Sequence, residues 1–455
     1  MTIQHMLKRI ANEAEIETAL DGCEIPMSEE LVLQVLRRHR SDWKLALAFF
    51  NWSSARQRHS HGPKPYNEML DILGRMRQLD SMRGLLDSIP KSNHPINERT
   101  FSIVVNRYCA AHKVDEAIEL FHNRPQYGLP LDLIAFQTLL TCLCRYKHVE
   151  VAESLFVEKQ HEFPPVIKTR NIILHGWCVV GSAREAKRFW NDIVVSGCKP
   201  DLITYGTIIN SMAKAGKLGT AVKLFTSMWR KGCEPDATIC NCIIDALCFK
   251  KRVPEALEVF AEMDGKGCTP NTVTYNCLIK HLCRIRRLEK AYGLLEEMEA
   301  KGCEADARTY GYFIKCARST EEFGEVLERM RRSGCRMTGD AYNMVLKMHV
   351  GWGDFGAAER VWEEMEREGL GPDQRSYTVM VHGLCERRRM GEALRYFEEM
   401  KEKGMVPEKR TNLVVKAINL KLQNSEARSS LGEGEVELNE GSVSGKKPRP
   451  AHKKM

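Results

Sequence analysis

The residues with the most chemistry to offer are 17 cysteines. As thiolates they could ligate zinc or cycle through disulfides, and both uses demand particular spacings. No C-x-x-C occurs; the tightest pairs, Cys142/Cys144 and Cys240/Cys242, are separated by one residue. A zinc knuckle or a thioredoxin-type redox pair is therefore unsupported. The odd count, spread thinly over 455 residues, also argues against a secreted disulfide scaffold and for free thiols in a reducing compartment.

What the cysteines do show is a beat. Cys198, Cys233, Cys268 and Cys303 stand 35 residues apart, each beside a glycine: Gly197, Gly232, Gly267 and Gly302. Gly334, Gly369 and Gly404 continue the register. Met228, Met263, Met298, Met330, Met365 and Met400 keep the same time, as do alanines from Ala117 to Ala393. Repetition at this period means a solenoid or array, and it overrides the prior of about three domains set by length. Core filling, not chemistry, is the reading of the Cys, Met and Ala columns.

The elements behind the beat are helices. In residues 272–306, Tyr275, Leu278, Ile279, Leu282 and Cys283 fall at helical spacing, and so do Leu288, Ala291, Leu294, Leu295 and Met298. Gly302 supplies the left-handed residue that ends the second helix. Each segment is a helical hairpin that cannot bury its apolar faces alone, so neighbours must stack. The composition agrees: 43% hydrophobic, 28% charged, net charge +8, a soluble balance with a mild cationic excess that permits an anionic partner. No apolar run approaches the roughly 18 residues of a membrane span.

The period of 35, an aromatic-Asn pair opening the first helix, Cys near its end, Ala in the second, E-E-M-x-x-x-G and a closing Pro-Asp together resemble the pentatricopeptide repeat family, in its pure-repeat subclass of plant organellar type. Cys198-Lys199-Pro200-Asp201, Cys233-Glu234-Pro235-Asp236 and Gly371-Pro372-Asp373 carry the closing element. The resemblance covers residues 63–420 and gives ten repeats: 63–97, 98–132, 133–166, 167–201, 202–236, 237–271, 272–306, 307–338, 339–373 and 374–408, then a capping helix. It implies an all-α, right-handed superhelix of stacked helix-turn-helix repeats that binds single-stranded RNA sequence-specifically, one base per repeat, in organellar RNA processing, stabilisation, splicing or translation. It implies no catalysis, no metal and no cofactor, a monomer, and RNA-processing factors as further partners. Repeat 307–338 lacks three residues, and a tighter turn is expected near Arg318.

By the same resemblance two positions per repeat choose the base: the residue after the first aromatic and the closing residue. Asn171/Asp201, Asn276/Asp306 and Asn343/Asp373 resemble uracil readers, the acid accepting from uracil N3–H. Asn67/Asn97 and Asn241/Asn271 replace the acid by an amide and admit cytosine; Ser102/Asp132 resembles a guanine reader; Thr378 with Glu408 suggests a purine. Gln137/Val166, Gly206/Asp236 and Gly311/Thr338 carry no assigned base. The implied target is 5′-Y-G-n-U-n-Y-U-n-U-R-3′. Asn171, Asn241, Asn276 and Asn343 are expected to lie exposed in one row. Ile134, Ile203 and Val273 fit a base-wedging place that is charged in other repeats, as at Asp340 and Arg375, and Arg145, Lys214 and Arg284 follow a column that could approach phosphate.

Residues 28–62 read as a degenerate helical-hairpin cap, with Ser28 and Asp42 as helix caps, and 421–455 as a disordered polar and basic tail. Residues 1–27 hold Lys8 and Arg9 against five acids, unlike an Arg-rich transit peptide. The location implied by the resemblance is the mitochondrion, with chloroplast, cytosol or nucleus as alternatives. The competing function is a protein-binding scaffold of the tetratricopeptide type, but its 34-residue period and W-x-x-L-G-x-x-Y opening are missing. A zinc deaminase is excluded by the missing P-C-x-x-C.

Overall fold

The computed structural model describes residues 27–56, 61–89, 96–265 and 267–432. The segment 1–26 and the tail from 433 lie outside the described residues. Two compact bodies divide the chain after Pro270. In the first, the helices are α1 (Glu29–Arg38), α2 (Trp43–Arg56), α3 (Pro63–Arg75), α4 (Leu79–Ser88), α5 (Glu98–Ala110), α6 (Val114–His122), α7 (Leu133–Arg145), α8 (Val149–Glu158), α9 (Ile167–Val180), α10 (Ala183–Val195), α11 (Leu202–Lys214), α12 (Leu218–Arg230), α13 (Ala237–Phe249) and α14 (Val253–Gly265). In the second they are α15 (Thr272–Arg284), α16 (Leu288–Ala300), α17 (Ala307–Ile314), α18 (Thr320–Arg332), α19 (Gly339–Trp352), α20 (Phe355–Arg367), α21 (Gln374–Glu386), α22 (Met390–Glu402) and α23 (Lys409–Gly432). No strand occurs among the described residues.

Each body is an all-α repeat stack. Within a repeat the first helix packs on the second; within a body it also packs on the first helix of the next repeat. The residues that set the sequence periodicity form the core: Tyr275, Leu278, Ile279, Leu282 and Cys283 of α15 and Ala291, Leu294, Leu295 and Met298 of α16 are all buried. The alanine column, from Ala117 to Ala393, is fully inaccessible, because a methyl is what two helices in close approach leave room for. None of the described cysteines is joined in a disulfide. Burial pushes the Cys109, Cys144 and Cys283 thiols up to about 12, so they behave as small hydrophobes. Cys178 and Cys385, at the same place late in their first helices, are only half-buried.

Second helices end on the glycine column. At Gly302 the backbone is left-handed, φ +74°, and the next N–H, of Cys303, donates 2.9 Å back to Met298 O. The turn between first and second helices also goes left-handed, with Gly181, Gly216 and Gly353 in three repeats. In six others the residue is a side-chain-bearing base: Arg77, His112, Lys147, Lys251, Arg286 and Arg388.

Two details depart from the sequence reading, and the hairpin ahead of the repeats follows it. In repeat 307–338 the missing residues come out of the first helix, not the turn: α17 has 8 residues where α15 has 13, and the connection lengthens to Lys315–Ser319. The last helix, α23, runs to Gly432, past residue 420 where a disordered tail was expected to start. Ahead of the repeats, α1 and α2 pack on α3, with Ser28 Oγ accepting from Leu31 N at 3.2 Å and Asp42 Oδ1 from Leu45 N at 3.2 Å.

Candidate nucleic-acid interface

Each repeat's closing residue turns out to be the N-cap of the following first helix. Asp201, Asp306 and Asp373 hold extended backbone, and one carboxylate oxygen accepts the N–H of the third helical residue: Thr204 at 2.8 Å, Thr309 at 2.8 Å, Ser376 at 2.9 Å. The hydroxyl of that third residue accepts the cap's own N–H at 3.1 Å in all three, completing a capping box. One Asp oxygen is thus committed to the helix, and the other is left to face elsewhere.

The asparagine of the preceding first helix closes the set. Asn171 Nδ2 donates to Asp201 at 3.1 and 3.3 Å, Asn276 Nδ2 to Asp306 at 3.2 Å, and Asn343 Nδ2 to Asp373 at 3.1 and 3.2 Å. Their Oδ1 atoms accept from Thr204, Thr309 and Ser376 hydroxyls at 2.7, 2.7 and 2.6 Å. The expected exposure of Asn171, Asn241, Asn276 and Asn343 does not hold: they are 8, 9, 8 and 3% exposed. The amides of Asn171, Asn276 and Asn343 sit in the seam between consecutive first helices, where an unpaired polar group would be costly. Only the second N–H of each amide and the outer oxygen of the acid retain unused hydrogen-bonding capacity in these bonds.

The acids stay charged. Burial would raise the Asp201, Asp306 and Asp373 carboxyls, but hydrogen bonds from the hydroxyl residue, its backbone N–H and the asparagine outweigh it and hold them below the ordinary value of 3.8.

The other repeats vary the set. Asn97 and Asn271 cap with Oδ1, accepting from Thr100 N at 3.0 Å and Thr274 N at 3.1 Å. This leaves Nδ2, a donor, where Asp has its outer oxygen. The partner column's Asn67 is buried, and its Oδ1 has no hydrogen-bond partner; the same is true of Asn241 Oδ1. Asp132 caps Ala135 N at 2.8 Å, with half-buried Ser102 in the asparagine place. Asp236 caps Ile239 N at 2.8 Å opposite Gly206. Gln137 is buried, its Nε2 donating to Thr169 Oγ1 at 2.9 Å. Thr378 gives its hydroxyl proton to Gln374 O at 2.8 Å, its own helix.

Around this row, Ile134, Ile203 and Val273 project apolar side chains that are 65, 65 and 58% exposed, without a protein neighbour to cover them. Asp340 and Arg375, charged members of the same column, pair with each other at 3.0 Å. Arg145, Lys214 and Arg284 are exposed one helix length away, at the far ends of α7, α11 and α15. Arg145 reaches Asn106 Oδ1 at 3.1 Å. In the first body one cleft of about 390 Å³ collects Ser102, Ile134, Gln137 and Arg145. Base-position, wedge-position and cationic side chains thus share one surface there. Among the described residues no cluster of three or more His, Cys, Asp or Glu is placed to hold a metal.

The residue missed by sequence reasoning is the hydroxyl three places after seven of the ten closing residues, Asp201, Asp306 and Asp373 among them. Its signal was available as D/N-x-x-T/S ahead of an apolar run.

Comparison with known proteins fits this architecture. Models of the PPR repeat family match residues 235–284, 270–319 and 340–386, and PPR repeat models match 196–229, 99–123 and 375–405. A pentatricopeptide repeat-containing protein of Arabidopsis thaliana is 55% identical over 378 residues, 83% of this chain and 72% of its own length. A second from the same plant, named as mitochondrial, is 37% identical over 377 residues, 82% of this chain and 66% of its own. The crystal structure of the pentatricopeptide repeat protein PPR10 from maize superposes with a TM-score of 0.52 at 22% identity, over 95% of this chain and 67% of that one. Period, hairpin stack, closing N-caps and these matches lead to one conclusion: the chain belongs to the pentatricopeptide repeat family.

Proposed function

We propose that the chain binds single-stranded RNA, each reading set meeting one base, and acts in plant organellar RNA metabolism by selecting the transcript rather than by catalysis. One observation carries the reading. The helix cap fixes which atom of the closing residue is occupied, so the remaining atom is an acceptor in Asp306 and a donor in Asn97. Uracil N3–H needs the first and cytosine N3 the second. The exposed wedge column offers an apolar face against which a splayed base can lie, and the cations at the helix ends can meet phosphate. A duplex hides the edges these atoms would read, so single strands are the substrate class. The relative named as mitochondrial supports that compartment, and RNA-processing enzymes acting on the bound transcript are the natural further partners. No described helix is long and apolar enough to cross a membrane.

The test is a set of oligonucleotides following 5′-Y-G-n-U-n-Y-U-n-U-R-3′ and differing only at the seventh base, bound by the wild-type chain and by Asp306→Asn. Wild type should prefer uracil, and the variant should relax towards cytosine. Identical ranking of the four bases by both proteins would defeat the reading.

A further inference from the structure

The hydroxyl beneath each reading set has two possible jobs, completing the helix cap or orienting the asparagine, and the chain separates them. Asp132 and Asp236 cap their helices at 2.8 Å with Ala135 and Ile239 in the third position, so a good cap needs no hydroxyl there. What the hydroxyl accompanies is the amide one repeat earlier. Asn67, Gln137, Asn171, Asn241, Asn276 and Asn343 are followed by Thr100, Thr169, Thr204, Thr274, Thr309 and Ser376. Ser102, Gly206 and Gly311, which have no amide, are followed by Ala135, Ile239 and Ala341. Only Thr378 is followed by a hydroxyl without an amide, Thr411, which faces His382 Nε2 at 3.1 Å instead. Ser376 does for Asn343 what Thr204 does for Asn171, so the hydroxyl and not the methyl is the shared feature.

We propose that Thr204, Thr309 and Ser376 are positioning residues for base choice by the preceding repeat, so that each reading set is a triad straddling the repeat boundary. This deepens the RNA-binding reading and rests on it. A primary amide has nearly the same shape with its oxygen and nitrogen exchanged, yet the two orientations show a base opposite polarities. The buried hydroxyl lies 2.7 Å from Asn276 Oδ1 and 2.9 Å from Asp306 Oδ1, so its one proton is shared between them, and the nearer contact fixes the carbonyl side of the amide and holds the NH₂ towards Asp306 and the groove. Removing the hydroxyl leaves one bond, from Asn276 Nδ2 to Asp306 at 3.2 Å, where two held the orientation, and strands the carbonyl side without a donor. The amide would then be held less firmly, and the uracil pattern of donor beside acceptor would blur. The hydroxyl touches no base itself.

The experiment measures full-chain binding to oligonucleotides varied singly at bases six, seven and nine, for wild type, Thr309→Val, Thr309→Ser, Ser376→Ala and Asp306→Asn. Thr309→Val should lower the preference for uracil at base seven roughly tenfold, with the ranking at bases six and nine unchanged. Thr309→Ser should keep it. Ser376→Ala, which places at 376 the residue already native at 135 and 341, should blur base nine alone, and it decides the matter should Thr309→Val not fold. A loss of affinity equal for every base would mean a purely structural role and overturn the proposal. If Asp306→Asn changes the ranking at base seven while the hydroxyl variants do not, the triad fails and the RNA reading stands. If none of the variants changes any ranking, the RNA reading itself fails.

Discussion

Repeats 63–97 and 272–306 carry nearly the same reading set and differ at one atom. Asn97 and Asp306 both cap a helix through Oδ1 and both form capping boxes, with Thr100 and Thr309. Asn and Asp are about equal as caps, so the exchange is almost invisible to folding. It is not invisible next door. Beside Asp306, Asn276 has Nδ2 on the acid and Oδ1 on a hydroxyl; beside Asn97, Asn67 Oδ1 is buried with nothing to accept from. One set is closed in the free protein and the other is open. On the proposed RNA reading, fold and specificity fall on different atoms of the same side chain.

The sharpest way to break this comparison is on stability. Thr309→Val strips the donor from buried Asn276 Oδ1 and should destabilise the C-terminal body by about 1–3 kcal/mol in chemical denaturation. Thr100→Val loses its bonds to the cap residue Asn97 but strips no donor from Asn67 Oδ1, and should cost about 1 kcal/mol less. Equal losses would show that the hydroxyl serves only the cap.

The reciprocal exchange comes next. Asp306→Asn and Asn97→Asp should move bases seven and one in opposite directions, each by about 1–3 kcal/mol of discrimination if a buried partner is left unpaired. Their denaturation midpoints should stay within about 0.5 kcal/mol of wild type, because either residue caps. Midpoints that shift while base rankings do not would leave these residues as caps and nothing more.

A contact outside both sets gives a smaller, indiscriminate effect. Lys214→Gln should weaken every sequence alike and reduce the log–log salt slope by about 0.7. Loss confined to particular bases would place Lys214 among the readers instead.

The smallest effect concerns acid. Asp306 sits below its ordinary 3.8 because hydrogen bonds overcome its burial. A depressed folded value contributes stability above 3.8 and loses it as pH falls through the folded value. Uracil preference at base seven should accordingly be flat from about pH 5 to 8, and base one, lacking an acid, should not follow it at low pH. A titration of base-seven preference near neutrality would contradict the charge assigned to Asp306.

Much of the fold was legible because repetition averages out local ambiguity. One alanine such as Ala291 says little, but eight in register require helices in close approach. The Asn and Asp columns carried a resemblance to base readers, yet their burial could not be read. It depends on the next repeat's first helix, whose Thr309 lies 33 residues beyond Asn276. The hydroxyl column goes unnoticed in the sequence because its coupling to the amides joins residues of two neighbouring repeats. The shortened repeat misled for a local reason: the missing residues could leave either the turn or the helix end, and periodicity does not say which. The structure removes them from α17, keeping Asp306 at its cap and 13 residues in α18.

The left-handed turns after the first helices hold one more consequence, for anyone altering this chain's charge. A side chain in that backbone region costs roughly 1–2 kcal/mol, glycine there returns about 0.5–1 through the unfolded state, and a cation at a helix end is worth about 0.3–1. The contributions nearly cancel. Glycine in place of Arg77, Lys147, Lys251 and Arg388 would therefore lower the formal net charge from +8 to about +4 with little change in folding, whereas Arg286 also donates to Cys316 O and is better kept. Adhesion to arbitrary polyanions could be tuned at these hinges while the atoms that face a base stay where they are.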